Sequence, residues 1–124
     1  MSAKIFSFND DKMAEECGVF GIYAPGSNVA QLTYYGLYAL QHRGQESAGI
    51  AVADGSLIRN EKGMGLVSEV FQDRSVLKKL SGHIAIGHVR SSFAKSGLPV
   101  NAQPLLFRYR NGHLAIAQNG NLVN

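Results

Sequence analysis

The run CGVFGIY, residues 17–23, alternates like a strand, yet neither of its sides is polar. Cys17, Val19, Gly21 and Tyr23 fall on one side of an extended chain, and Gly18, Phe20 and Ile22 on the other. A strand with apolar bulk on both sides has to be covered on both, so this chain is expected to build layers above and below it. The stretch PGSN, 25–28, then breaks the strand, and Ser27 or Asn28 can cap a helix by accepting from an otherwise unpaired backbone N–H. That helix is expected to run to about His42 and to stop at Gly44. Leu32, Tyr35 and Ala39 recur at spacings of three and four, which predicts a core-facing stripe widened by Gly36 and Leu40.

Further along, SAGIAVADGSLIRNEKG reads as a hairpin turning at Asp54-Gly55, SVLKKL as a short helix, and HIAIGHV as another strand. A polar loop follows Arg90, and a second hairpin pairs 105–110 with 113–118 through Asn111-Gly112. The order strand, helix, hairpin, short helix, strand, hairpin predicts a largely antiparallel α+β fold. The final stretch QNGNLVN stops just as a new element would begin, which gives an incomplete fragment of a larger domain as the expectation.

Composition narrows the function classes. With 124 residues, 45% apolar and 17% charged, the chain is globular in character and long enough for one domain or part of one. The net charge of +3 is modest and only Lys78 and Lys79 are adjacent, so no basic stripe suited to nucleic acid is present and no nucleic-acid partner is expected. The leader MSAKIFSFNDDKMAEE carries Asp10, Asp11, Glu15 and Glu16 and has no continuous apolar core, which excludes a secretory signal and a transit peptide. No apolar run approaches the ~20 residues that span a bilayer, so no membrane partner is expected. The single cysteine can form no internal disulfide and no zinc site of familiar spacing, and a reducing, cytoplasmic location is the natural expectation.

That cysteine has two readings. It can be a small buried apolar residue opening a core strand. Alternatively, cleavage after Glu16 would make Cys17 the new amino terminus, where an α-amine with a pKa near ~7.7–8.0 sits beside a thiol near ~8.5. One residue would then supply both nucleophile and base. Three other stretches are equally two-sided. QHRGQES can be a solvated helix end, where cations are favoured by the dipole, or part of a site. Arg90, ending GHVR, can be a surface charge or a planar fork for a carboxylate, whereas His88, two residues earlier on the same side, reads as packed or surface rather than as a base. NGN can be a turn, or Asn119 and Gly120 can aim N–H groups at an oxyanion.

Taken in order, CGVFGI, LYALQHRGQESAGI, GLVSEVF, GHVR, QPLLF and NGNLVN resemble the glutamine phosphoribosylpyrophosphate amidotransferases, and more widely the class II glutamine amidotransferase domain. The likeness runs from about Glu15 to Asn124. It implies an N-terminal nucleophile (Ntn) hydrolase fold, a four-layer αββα sandwich, with 1–16 as a leader or propeptide and 17–124 as the first part of the amidotransferase domain. It further implies that Cys17 attacks the glutamine side-chain amide with its freed α-amine as base, and that Asn119 and Gly120 form the oxyanion hole. Arg90 would hold the glutamine carboxylate, Ser92 would contribute to binding, and Arg43 would support the cysteine end of the site.

The activity implied is that of an amidophosphoribosyltransferase acting in the first step of purine synthesis, with this segment as its glutaminase half, not competent alone. Another class II amidotransferase, or a non-catalytic amino-acid-binding relative, is the alternative. No metal or cofactor is expected within this segment; Mg2+ with phosphoribosyl pyrophosphate, and a 4Fe-4S cluster in some members, would belong to a C-terminal part. Glutamine is the expected partner here, phosphoribosyl pyrophosphate the partner of the missing domain, and a homo-oligomer the expected full-length state. One departure stands out. The family follows GHVR with a tyrosine, a small residue and a threonine, where this chain has Ser91, Ser92 and Phe93, so weaker glutamine binding is expected.

Overall fold

A computed structural model describes residues 4–9, 17–41, 45–91 and 102–118, with the backbone alone for 4–9, 45–46 and 91. Its frame is a five-stranded sheet in the order β1-β2-β5-β3-β4. The strands are β1 (Lys4–Asn9), β2 (Gly18–Tyr23), β3 (Gln45–Ala53), β4 (Ile58–Met64) and β5 (Ile84–Ser91), and every neighbouring pair is antiparallel. Helix α1 (Val29–Leu40) and the short helices α2 (Val67–Val70) and α3 (Ser75–Lys79) cover one face. A ribbon of β6 (Leu105–Tyr109) and β7 (Gly112–Ile116) completes the described elements, and its residues His113, Leu114 and Ala115 share a cavity with Ala51, Ile84 and Ile86 of the sheet.

The expectation that β2 is covered on both sides holds on the helix side alone: on the other, Val19 and Gly21 are half-buried and Tyr23 is exposed. Phe20 and Ile22 point into the helix layer, where they join Val89 and Ala85 of β5, Ala48, Ile50 and Val52 of β3, and Val29, Ala30, Tyr34 and Leu37 of α1 in one buried cluster. Tyr34 meets Phe71 edge-on at 6.1 Å between ring centres, and Phe71 is fully buried. Gly87 is what lets α1 settle on the sheet, since a side chain there would run into Thr33 and Leu37.

The stripe anticipated on α1 is corrected. Leu32, Tyr35 and Ala39 face outward, and Ala30, Thr33, Tyr34 and Leu37 face the sheet. The helix VAQLTYYGLYAL is apolar nearly all round, so periodicity alone selects no side. The small residues mark it instead: Gly36 lies against the Phe20 ring, where a Cβ would collide. Asn28 does cap the helix, accepting from the Gln31 N–H at 3.1 Å.

Both hairpins form with turns that differ from the expected ones. Residues 54–57 make a longer loop after β3, in which Asp54 accepts from the backbone of Ser56 and Leu57 and only Gly55 adopts positive φ. In the ribbon, Tyr109 pairs with Gly112, so the turn is Arg110-Asn111. The strand β1 was not anticipated at all. It lies within the leader and pairs Asn9 with Gly18 through Lys4 with Tyr23, covering the edge of β2.

Candidate active site

The site is built by register. In the β2–β5 pair Gly18 lies opposite Val89, and continuing that pairing by one residue sets Cys17 across from Arg90 on the neighbouring strand, about 4.7–4.9 Å away. On the other side of β5, Arg90 pairs with Ser47 of β3. Cys17, Arg90 and Ser47 therefore form one row on the ribbon side of the sheet. Cys17 is 7% exposed and Arg90 8%, so both residues are buried. The β3–β5 register slips between Gln45 and Ser47, a bulge beside this row of the kind that re-aims a strand end.

The next row on the same face, two residues further along each strand, is Val19, His88, Gly49 and Lys62. Gly49 has no side chain because the Gln103 carbonyl sits where a Cβ would be. Lys62 donates to the Pro104 carbonyl at 3.0 Å, and burial lowers its pKa. His88 is fully buried, and its Nε2 lies 2.9 Å from the Gln118 carbonyl. Burial, reinforced by the nearby Arg90 charge and opposed by that hydrogen bond, pushes the His88 pKa down to about 4, so the ring is neutral at pH 7. A carbonyl can only accept, so Nε2 carries the proton. The Gln118 N–H in turn donates to Gln103 Oε1 at 2.7 Å.

A cavity between sheet and ribbon lies elsewhere. It measures about 190 Å³ and is lined by Ala51, Ile58, Ile84, Ile86 and Leu114, at the end of the sheet remote from Cys17. Its lining is apolar apart from His113.

Of the anticipated site residues, Cys17 and Arg90 are thus brought together, while Arg43, Ser92, Asn119 and Gly120 lie outside the described residues, as does Phe93. His88 was read as packed or surface, and it is packed. Gln103 was missed; its only signal was a glutamine before a proline, which carries no chemistry by itself.

Comparison with known proteins then decides the lineage. The chain is 60% identical over 114 residues to an amidophosphoribosyltransferase of Synechocystis, and 57% identical over 111 residues to that of Bacillus subtilis. The matches take in 92% and 89% of this chain and 23% of each relative. The chain is homologous to the amino-terminal part of amidophosphoribosyltransferases. It spans less than a quarter of the length of these relatives. No family model matches the chain.

Among solved structures, glutamine phosphoribosylpyrophosphate amidotransferase from B. subtilis, complexed with ADP and GMP, superposes with a TM-score of 0.69 at 51% identity, covering 80% of this chain and 21% of that one. A second, described as the allosteric regulatory enzyme of purine biosynthesis, gives 0.71 at 53% identity, covering 78% of this chain and 21% of that one. The fold is accordingly the first part of the Ntn hydrolase fold of the amidophosphoribosyltransferases.

Among the described residues no group of three or more His, Cys, Asp or Glu could hold a metal ion. An iron–sulfur cluster takes four thiolates, and this chain has one cysteine. No described helix is long and apolar enough to cross a membrane.

Proposed function

We propose that this chain is the glutaminase half of an amidophosphoribosyltransferase. The observation that carries the reading is the burial of both Cys17 and Arg90, whose chain neighbours Gly18 and Val89 are paired on adjoining strands. An arginine fork held there is suited to the carboxylate of an amino acid whose far end reaches the thiol.

Residues 1–16 act as a propeptide. While Glu16 is attached, the Cys17 nitrogen is an amide and has no basicity; once the peptide bond is cut, it becomes an amine near ~7.7–8.0 in pKa. That amine takes the thiol proton as sulfur bonds to the side-chain carbonyl carbon of glutamine. The tetrahedral oxyanion is met by the Asn119 side-chain N–H and the Gly120 backbone N–H. On collapse the C–N bond breaks, the proton passes from the amine to the leaving nitrogen, and ammonia departs from a glutamyl thioester. Water then cleaves the thioester to glutamate and restores the thiol. Arg90 fixes the carboxylate end, with Ser92 beside it, and Arg43 supports the cysteine end.

The ammonia is consumed elsewhere in a longer protein, by displacement of pyrophosphate from phosphoribosyl pyrophosphate with Mg2+ present. A homo-oligomer and a cytoplasmic location complete the proposal. On the ribbon Phe107, Tyr109, Leu114 and Ile116 are exposed, which supports a further layer supplied by such a longer chain.

The test is covalent labelling of the full-length protein with a diazoketone analogue of glutamine, followed by peptide mass mapping. Label on Cys17, competed by glutamine and absent in Cys17→Ser, is expected. A processed protein that stays unlabelled would favour the non-catalytic amino-acid-binding reading.

A further inference from the structure

The two edges of the five-stranded sheet are protected in different ways. At one stands β4, IRNEKGM, with Arg59, Glu61 and Lys62 along it. Charged side chains are a common means by which an edge strand turns other strands away. At the opposite edge stands β1, KIFSFN, and next to it β2, GVFGIY. Without β1 the edge would be β2 itself, which has no charged residue and no proline. Its pairing with β1 runs unbroken from Lys4 opposite Tyr23 to Asn9 opposite Gly18, with no bulge to bend the edge away. On its other side β2 is paired with β5 just as regularly. Alternate residues of a strand flanked in this way turn their N–H and C=O groups to one neighbour and the rest to the other. Removing β1 would therefore strip the partners from every second residue of β2.

The segment that closes this edge belongs to residues 1–16, which the glutaminase reading above makes removable. While the chain is whole, β1 is tethered to β2, and a short tether holds a strand near its partner at an effective concentration of about millimolar. Weak pairing is then enough. Main-chain hydrogen bonds along six residues contribute little beyond what ordering the segment costs, and two paired strands alone are marginal in water. Cutting after Glu16 removes the tether and leaves the pairing groups as they were.

We propose that the outer edge of β2 is a strand-binding surface whose ligand is the leader segment 4–9, held by the tether and lost when the tether is cut. Recognition is by main chain, an extended peptide adding antiparallel to β2. Processing then does two things at once: it frees the Cys17 amine, and it opens the strand edge that begins at the next residue. The release rests on the glutaminase reading; the pairing does not.

The experiment is amide hydrogen exchange, resolved to single residues of β2, on the full-length protein in its uncut and its processed forms. In the uncut form Gly18–Tyr23 should exchange slowly throughout. In the processed form alternate residues should exchange at least about tenfold faster, while those turned to β5 stay slow. A synthetic peptide of residues 1–16, added to processed protein, should restore slow exchange only at about millimolar concentration. Ile5→Pro and Phe6→Pro, made in the uncut protein, keep both the tether and the Cys17 amide. N–H groups of successive strand residues point opposite ways, so one of the two substitutions removes a bond to β2 and should speed exchange there. This pair carries the test should the processed form precipitate.

Fast alternate amides in the uncut protein would overturn the pairing, and so would two proline variants that leave exchange in β2 unchanged. Alternate amides that stay slow after processing, closed by a second copy or by another strand of the longer chain, would overturn the release. Slow exchange restored by the peptide at micromolar concentration would do the same. None of these results depends on turnover. A Cys17 that resists the glutamine analogue beside the expected exchange pattern would remove the glutaminase reading and leave the strand site standing.

Discussion

The two faces of the central sheet are made by the same strands and differ in every physical respect. Toward the helices, β2 and β5 present Phe20, Ile22, Ala85 and Val89 to a cluster of apolar side chains. Toward the ribbon, alternate residues of the same strands present Val19, His88 and Arg90, and Gln103 is buried over Gly49 of β3. Successive residues point to opposite sides, so Val89 serves the core while its neighbours His88 and Arg90 serve the site. One face is fastened by area removed from water, the other by a few directed hydrogen bonds. A register slip of one residue would exchange them, and the helix-side packing is therefore what holds Cys17 beside Arg90.

The difference can be broken from the helix side first. Phe71→Ala removes a fully buried ring that packs on Tyr34 and should cost about 3–5 kcal/mol, read by denaturant unfolding, with loss of activity only in proportion to unfolded protein.

The ribbon side should answer to pH. His88 titrates near 6.5 when unfolded and at about 4 when folded, so between those values the unfolded state binds the extra proton and stability rises with pH. The contribution is complete above about pH 6.5 and is lost as pH falls toward about 4. It amounts to about 3 kcal/mol, and the slope between pH 7 and pH 5 should be strongly reduced in His88→Gln when unfolding is measured across that range.

Arg90→Lys keeps the charge and removes the fork. It should raise the Michaelis constant for glutamine roughly 10–100-fold, with the melting temperature little changed. The smallest effect belongs to the rim of the helix layer. Asn28→Ala deletes the cap of α1 and should cost about 1 kcal/mol by the same unfolding measurement, without altering the kinetics of folded protein.

What the sequence made legible follows the same division. Alternation was enough to read β2 as a strand, although the covering expected on both sides is found on the helix side alone, and the i, i+2 spacing of His88 and Arg90 was enough to set them on one face. The side of α1 was not legible, because a helix with Leu32, Tyr35 and Tyr38 on its outer surface has no polar stripe to orient it. Strand β1 was passed over because its segment, KIFSFN, lies in a leader read as separable, although it alternates as a strand does. Gln103 could not be found from one chain: its role arises only where two segments fifteen positions apart meet at Gln118. Motif likeness, rather than periodicity, pointed to Asn119 and Gly120.

The most direct test of the whole account joins the amino terminus to the activity. Intact mass and N-terminal sequencing of the full-length protein, with glutaminase assayed on the same preparation, should show activity rising in step with the fraction of chains that begin at Cys17. Full glutaminase activity in protein that still carries residues 1–16 would contradict it, since the Cys17 nitrogen would then be an amide and could not serve as the base.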